Sequence, residues 1–220
     1  MTLFDNQHDA LIKLLATMPV SQMRKERWEV LALSENGVIF AEGIARAISG
    51  HLDFLFTEPV PAPNNKECWV AVVSETEEIV INQSLVNAFD ISIDYVYGEA
   101  KRKYEEKILT YLYKYRKGEL ITNLHNKNVL LVDEGADTGL TLMVALKTVF
   151  AMNPTRVAVA LPVVPESLAA ELFSLVDDAY FVHQMPNLVE SRAYFAHIDP
   201  FDATSCAIDP TSPEQPKGNL

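Results

Sequence analysis

Basic residues, cysteines and glycines are all scarce in this chain, and each shortage excludes a class of function. Lysine and arginine total 18 against 30 aspartates and glutamates, for a formal net charge of -12. Such a chain lacks the cationic surface that sequence-independent nucleic-acid binding requires, and anionic membrane surfaces repel it. The 2 cysteines, Cys68 and Cys206, stand in unrelated contexts. They form neither a disulfide framework nor a zinc-ligand pattern, which fits a reducing compartment. His8, His51, His125, His183 and His197 are likewise unpaired, and no protein metal site is expected from them. None of the 8 glycines falls in a Gly-x-Gly-x-x-Gly or Gly-x-x-x-x-Gly-Lys-Ser/Thr string, so the dinucleotide and P-loop readings lack their residues. No serine or cysteine sits in a nucleophile elbow. Apolar runs are too short to span a bilayer. The opening "MTLFDNQHDALIKLLATMPV" has no basic n-region; Leu11, Leu14, Leu15 and Met18 instead recur at helical spacing, predicting an amphipathic surface helix. The expectation is a soluble cytoplasmic protein with a small-molecule ligand.

Apolar residues, by contrast, are plentiful: 49% of the chain is hydrophobic. That suffices for a single domain, expected over residues 1–206, with a smaller appendage to its core. Val30 to Leu33 reads as a buried strand ending in the turn Ser34-Glu35-Asn36-Gly37. Val38, Ala41, Ile44, Ala45 and Ile48 then share a helix face, with Gly50 as the expected stop. "LDFLF" is a second strand, "TEPVPAPNNKE" a proline- and asparagine-rich loop, and "CWVAVVSETEEIVINQSLV" a hairpin or irregular excursion. A long helix follows, with Tyr104, Ile108, Tyr111, Leu112 and Tyr115 in its apolar stripe. Lys101, Arg102 and Lys103 belong to its solvated face. Strand Val129–Val132, helix Gly139–Phe150, strand "RVAVAL", a helix with Pro165 near its first turn and strand "DAYFVHQ" complete the pattern. Strands alternating with helices predict an α/β fold with a mostly parallel sheet covered on both faces. The segment from Ala207 is polar and proline-rich and is expected to be disordered.

The chemistry concentrates in "VLLVDEGADTGLTL", residues 129–142. In an open parallel sheet, ligands sit beyond the carboxyl ends of the strands, where Asp133 and Glu134 fall. The loop Gly135-Ala136-Asp137-Thr138-Gly139 then enters a helix, whose amides and dipole suit a phosphate. Thr138 and Thr141 add hydroxyl donors. Carboxylates do not suit that phosphate, but they accept hydrogen bonds from the vicinal hydroxyls of a sugar or help place a divalent cation. An acid pair beside a phosphate nest describes a ribose 5-phosphate site. A phosphorylatable acidic pocket of the receiver type is a distant alternative, since Asp-Thr-Gly-x-Thr has no role there.

This string resembles the phosphoribosyl pyrophosphate signature of type I phosphoribosyltransferases. The resemblance implies a five-stranded mostly parallel sheet flanked by helices, with a small hood over the base. It implies that Asp133 and Glu134 hold the ribose hydroxyls and that Ala136, Asp137, Thr138, Gly139, Leu140 and Thr141 wrap the 5′-phosphate. Asp137 would lie near the base as the catalytic proton acceptor. Magnesium would accompany the diphosphate, and a homodimer is the family expectation. "LALSENGVIFAEGIARAI", "LDFLFTEPVPAPNN" and "ESRAYFAHIDPFD" resemble further parts of stand-alone bacterial members of that family. By this resemblance Ser34, Glu35, Asn36 and Gly37 form the pyrophosphate loop, and His183 with Gln184 and Met185 either lines the base pocket or packs the loop. Tyr194 and Phe195 are either stacking partners for a base or core residues. Two departures stand out: Ser34-Glu35-Asn36-Gly37 replaces Pro-Arg-Gly-Gly, and Glu58-Pro59 replaces Arg-Lys. Glutamate repels pyrophosphate where arginine would bind it. Lys66 and the Lys101–Lys103 cluster are the available substitutes. Two functions therefore remain open: phosphoribosyl transfer, or sensing of a nucleotide or ribose phosphate without turnover.

Overall fold

The computed structural model describes residues 2–186, 188 and 190–198. Its strands are β1 (Trp28–Ala32), β2 (His51–Phe54), β3 (Thr57–Ala62), β4 (Asn65–Ser74), β5 (Ile79–Ile81), β6 (Asn128–Val132), β7 (Arg156–Pro165) and β8 (Asp178–Met185). Its α-helices are α1 (Gln7–Thr17), α2 (Val20–Met23), α3 (Gly37–Ile48), α4 (Gln83–Ala88), α5 (Ile93–Lys103), α6 (Leu109–Arg116), α7 (Leu140–Ala151) and α8 (Glu166–Leu175).

The main sheet has five strands in the order β2-β1-β6-β7-β8, and every neighbouring pair is parallel. Alternation along each strand divides the core into two layers. Val30, Ala32, Leu130, Val132, Ala158 and Ala160 face one layer, shared with α1 and α3. Leu31, Val129, Leu131, Val157, Val159 and Leu161 face the other, shared with α7 and α8. Burial on both faces is why β6 and β7 read as continuous apolar runs rather than alternating ones. The α/β fold with helices on both faces of a parallel sheet is as expected.

Residues between β2 and β6 build the hood. Strands β3, β4 and β5 form a separate antiparallel sheet over its own apolar cluster, which includes Val60, Val70, Val73, Val96, Ile108 and Leu112. The "TEPVPAPNNKE" stretch is thus not a loop: Thr57–Ala62 is a strand. Pro59 and Pro61 lack a ladder donor, but β3 is an edge strand where that loss is tolerated. The register shifts on either side of Pro61, and Asn64 turns the chain at φ 66°. The long helix is interrupted by a π turn, Tyr104–Ile108, between α5 and α6. Helix α3 ends at Ile48, one residue earlier than a stop at Gly50 implies, and Ser49 caps it in the left-handed conformation. Strand β7 runs to Pro165 and passes directly into α8.

A buried ion cluster ties hood to sheet. Arg116 reaches the fully buried Glu75 at 2.5 Å and Asp53 at 3.2 Å. It also donates to the Phe54 carbonyl. Glu75 accepts further bonds from the amides of Phe56 and Ile121. No helix among the described residues is long and apolar enough to cross a membrane. The expected tail from Ala207, the domain end at 206 and Cys206 lie outside the described residues.

Candidate functional site

Asp133 follows the last residue of β6 and so lies at the carboxyl edge of the sheet, next to the turn that follows β1. Ser34 joins the two. Its hydroxyl accepts from the Gly37 amide at 3.0 Å, capping α3, and donates to Asp133 Oδ1. The Glu134 amide donates to the same oxygen at 2.9 Å. The approach is close enough that a Cβ on Gly37 would meet Asp133 Oδ1 at 2.7 Å, which explains a glycine at that position. Burial pushes the Asp133 carboxyl up to about 7; the hydrogen bonds from Ser34 and Glu134 oppose the shift, while the charges of Glu134 and Asp137 add to it.

Glu134 points back to the same turn. Its Oε1 accepts from Asn36 Nδ2 at 3.2 Å and from Arg192 Nε at 3.1 Å. Burial raises its pKa, and the bond from Arg192 is the leading opposing influence. Asp137 Oδ1 accepts from the Ser191 amide at 2.7 Å. Among the described residues, the amides of Ala136, Asp137, Thr138, Gly139 and Thr141 donate to no protein acceptor, while that of Leu140 turns to Thr138 Oγ1 at 3.4 Å. Gly139 precedes α7 with φ 73°, a backbone state natural to glycine. Its missing Cβ would meet Leu168 Cδ2 at 2.9 Å, so both the backbone state and the Leu168 packing favour glycine here.

Both acids and the loop open onto one cavity of about 640 Å³. Its lining includes Ser34, Glu35, Asp133, Glu134 and every residue from Gly135 to Leu142. The hood supplies the facing wall: Phe56, Glu58, Trp69, Tyr111 and Tyr115, with Phe54 from the end of β2. Phe56 and Tyr115 stack with ring centroids 6.0 Å apart. Tyr111 donates its hydroxyl to Glu58 at 3.0 Å, and burial together with Glu58 pushes the phenol up to about 12. Glu58 also lies 3.8 Å from Lys103. The described lining contains no lysine or arginine.

The structure therefore brings together Asp133, Glu134 and the 136–141 loop, with Ser34 and Glu35 beside them. Asn36 and Gly37 touch the acids without entering the cavity lining. His183 and Met185 depart from expectation, for neither lines the cavity. Both belong to edge strand β8; His183 lies against Phe4, with ring centroids 5.5 Å apart, and Met185 packs on the layer shared with α1. Phe195 is buried between Phe4 and Phe40, and Tyr194 packs on that same layer. Phe195 is a core residue, and Tyr194 is half-buried against that core. Lys101 and Arg102 pair with neighbouring glutamates on the helix surface, and Lys66 is exposed at the start of β4. Sequence reasoning missed Phe54, Phe56, Trp69 and Arg192. Tyr111 and Tyr115 were visible as part of an apolar stripe, but periodicity alone cannot separate a cavity wall from a core.

No protein-family model matches the chain. Two curated proteins from Mycobacterium tuberculosis strains, each named "Putative phosphoribosyl transferase", are 24% identical to it over 178 residues. The match covers 81% of this chain, which spans 40% of the length of those relatives. A crystal structure of the Thermus thermophilus protein TT1426 superposes with a TM-score of 0.70 at 25% identity, covering 94% of this chain and 97% of that one. The chain is thus an α/β protein with a five-stranded parallel sheet, similar in sequence to curated proteins named as putative phosphoribosyl transferases.

Proposed function

We propose that the protein binds phosphoribosyl pyrophosphate or a nucleoside monophosphate and transfers the phosphoribosyl group to or from a nitrogen base. The observation that carries this reading is the shared cavity: it is lined by the acid pair and by a loop whose amides at 136–139 and 141 donate to no protein acceptor among the described residues. In this reading Asp133 and Glu134 accept hydrogen bonds from the ribose hydroxyls. The amides of residues 136–139 and 141, with the Thr138 and Thr141 hydroxyls, hold the 5′-phosphate at the start of α7. The aromatic hood wall receives the planar base. The bond between the base nitrogen and the anomeric carbon forms as the bond to the diphosphate oxygen breaks. The diphosphate leaves with the electron pair, and in this reading Asp137 accepts a proton from the base. Catalysis then rests on holding the sugar in line and on neutralising the leaving group.

Among the described residues, no group of three or more His, Cys, Asp or Glu could hold a metal ion. Magnesium fits here as an ion carried in by the diphosphate, whose charge it would neutralise. Glu35 and the absence of a cation from the described lining favour a second reading, a sensor that binds a nucleotide without turnover. A screen of purine and pyrimidine bases for diphosphate release, with magnesium present, tests the first reading. Release with any base supports transfer. Binding of nucleoside monophosphates without release supports sensing, and no binding at millimolar ligand removes both.

A further inference from the structure

Glu134 is held from two sides, and both holds fall on one oxygen. Asn36, on the turn after β1, and Arg192, on the 3-10 turn Ser191–Tyr194, each donate to Oε1, at 3.2 and 3.1 Å. The other oxygen, Oε2, is buried and has no partner among the described residues. The 3-10 turn is itself fixed against the motif loop: the Ser191 amide donates to Asp137 at 2.7 Å. A Cβ on Gly135 would come within 2.5 Å of the Ser191 Cβ, so only glycine permits that approach.

We propose that Arg192 is a positioning residue for ligand binding: by occupying Oε1 together with Asn36, it orients Glu134 so that Oε2 is offered to a hydroxyl of the ligand's sugar. The proposal rests on the ribose reading given above. A buried carboxylate oxygen without a donor is costly, and a sugar hydroxyl supplies the missing donor. Two donors on Oε1 fix the plane of the carboxylate and leave the remaining oxygen in one direction. The expected basic positions cannot do this, since Glu35 and Glu58 occupy them and Lys103 is directed to Glu58. The Arg192 side chain is 51% exposed, so it contributes little to the core and its replacement leaves the fold intact. Asp137 and Asp133 are the other charged groups near Glu134, and both are acidic. Without Arg192, Glu134 keeps its proton to higher pH, and a protonated carboxyl is a poorer acceptor.

Calorimetric titration of ribose 5-phosphate into the full chain, from about pH 6 to about pH 9, tests the idea with the wild type, Arg192→Met and Arg192→Lys. Arg192→Met should weaken binding about tenfold near neutral pH, the effect of losing one charge-assisted bond. Its affinity curve should move to higher pH, and Arg192→Lys should recover part of the loss. Equal affinity and equal pH dependence in the wild type and Arg192→Met overturn the role of Arg192 while leaving the ribose site standing. Should Arg192→Met fail to fold, Arg192→Lys carries the test: it must bind more weakly than wild type with a displaced pH curve, and wild-type behaviour overturns the proposal. No binding of ribose 5-phosphate by the wild type overturns the ribose reading and this inference with it.

Discussion

Asp133 carries opposite demands, one from the fold and one from the ligand. Its folded-state pKa, about 7, lies above the ordinary 3.8. The folded chain therefore holds a proton that the unfolded chain has released, and stability falls as pH rises between those two values. Asp133→Asn removes that burden while keeping an acceptor for Ser34 and Glu134. The variant should be more stable than wild type by on the order of 2 kcal/mol at pH 8, with the difference vanishing towards pH 4. Its ribose 5-phosphate affinity should fall. Thermal melts across pH check the first part; a variant less stable than wild type at pH 8 would contradict the burial argument. Gly139 tests the loop. Alanine there must adopt φ 73° and press on Leu168, so Gly139→Ala should cost about 1–3 kcal/mol in denaturant unfolding. The acid pair and the loop were legible in the sequence because their spacing follows directly from one strand-loop-helix unit. Arg192 was not, because its partner Glu134 is distant in sequence and only the closing 3-10 turn brings them together.

At the scale of elements, the hood is attached through a few polar links as well as apolar packing. Arg116 at the end of α6 neutralises Glu75 at the end of β4, next to the last residues of β2. Burial raises the Glu75 pKa against the pull of Arg116. Arg116→Met leaves that carboxylate uncompensated and should destabilise the protein by about 3–5 kcal/mol. Adding Glu75→Gln should restore part of the loss, which a double-mutant cycle measures. Full additivity would show that the pair is not coupled. The π turn at Tyr104–Ile108 lies within the long helix that carries Lys103 and Tyr111, both partners of Glu58. Helix and strand periods predicted most of these elements. They did not predict β3, because prolines at Pro59 and Pro61 read as loop residues unless the strand is known to be an edge.

At the scale of the whole molecule, a ligand bridging sheet and hood should stabilise both together. At a hundredfold excess over its dissociation constant, a nucleoside monophosphate should add about 2.7 kcal/mol to folding stability, seen as a rise in melting temperature that grows with concentration. A melting temperature indifferent to ligand would count against a site in this cavity. The local sequence determined the parallel α/β pattern, the acid pair, the loop and the helix that follows it, because backbone periodicity and turn chemistry act over a few residues. It also placed the basic cluster of α5 largely on a solvated face, as Lys101 and Arg102 show. Only the tertiary structure decided that Phe56, Trp69, Tyr111 and Tyr115 stand across from Asp133, that Glu58 is answered by Tyr111, and that His183 turns away to Phe4. Those relations join segments far apart in the chain, and they depend on how the hood packs over the sheet edge, which no local pattern encodes.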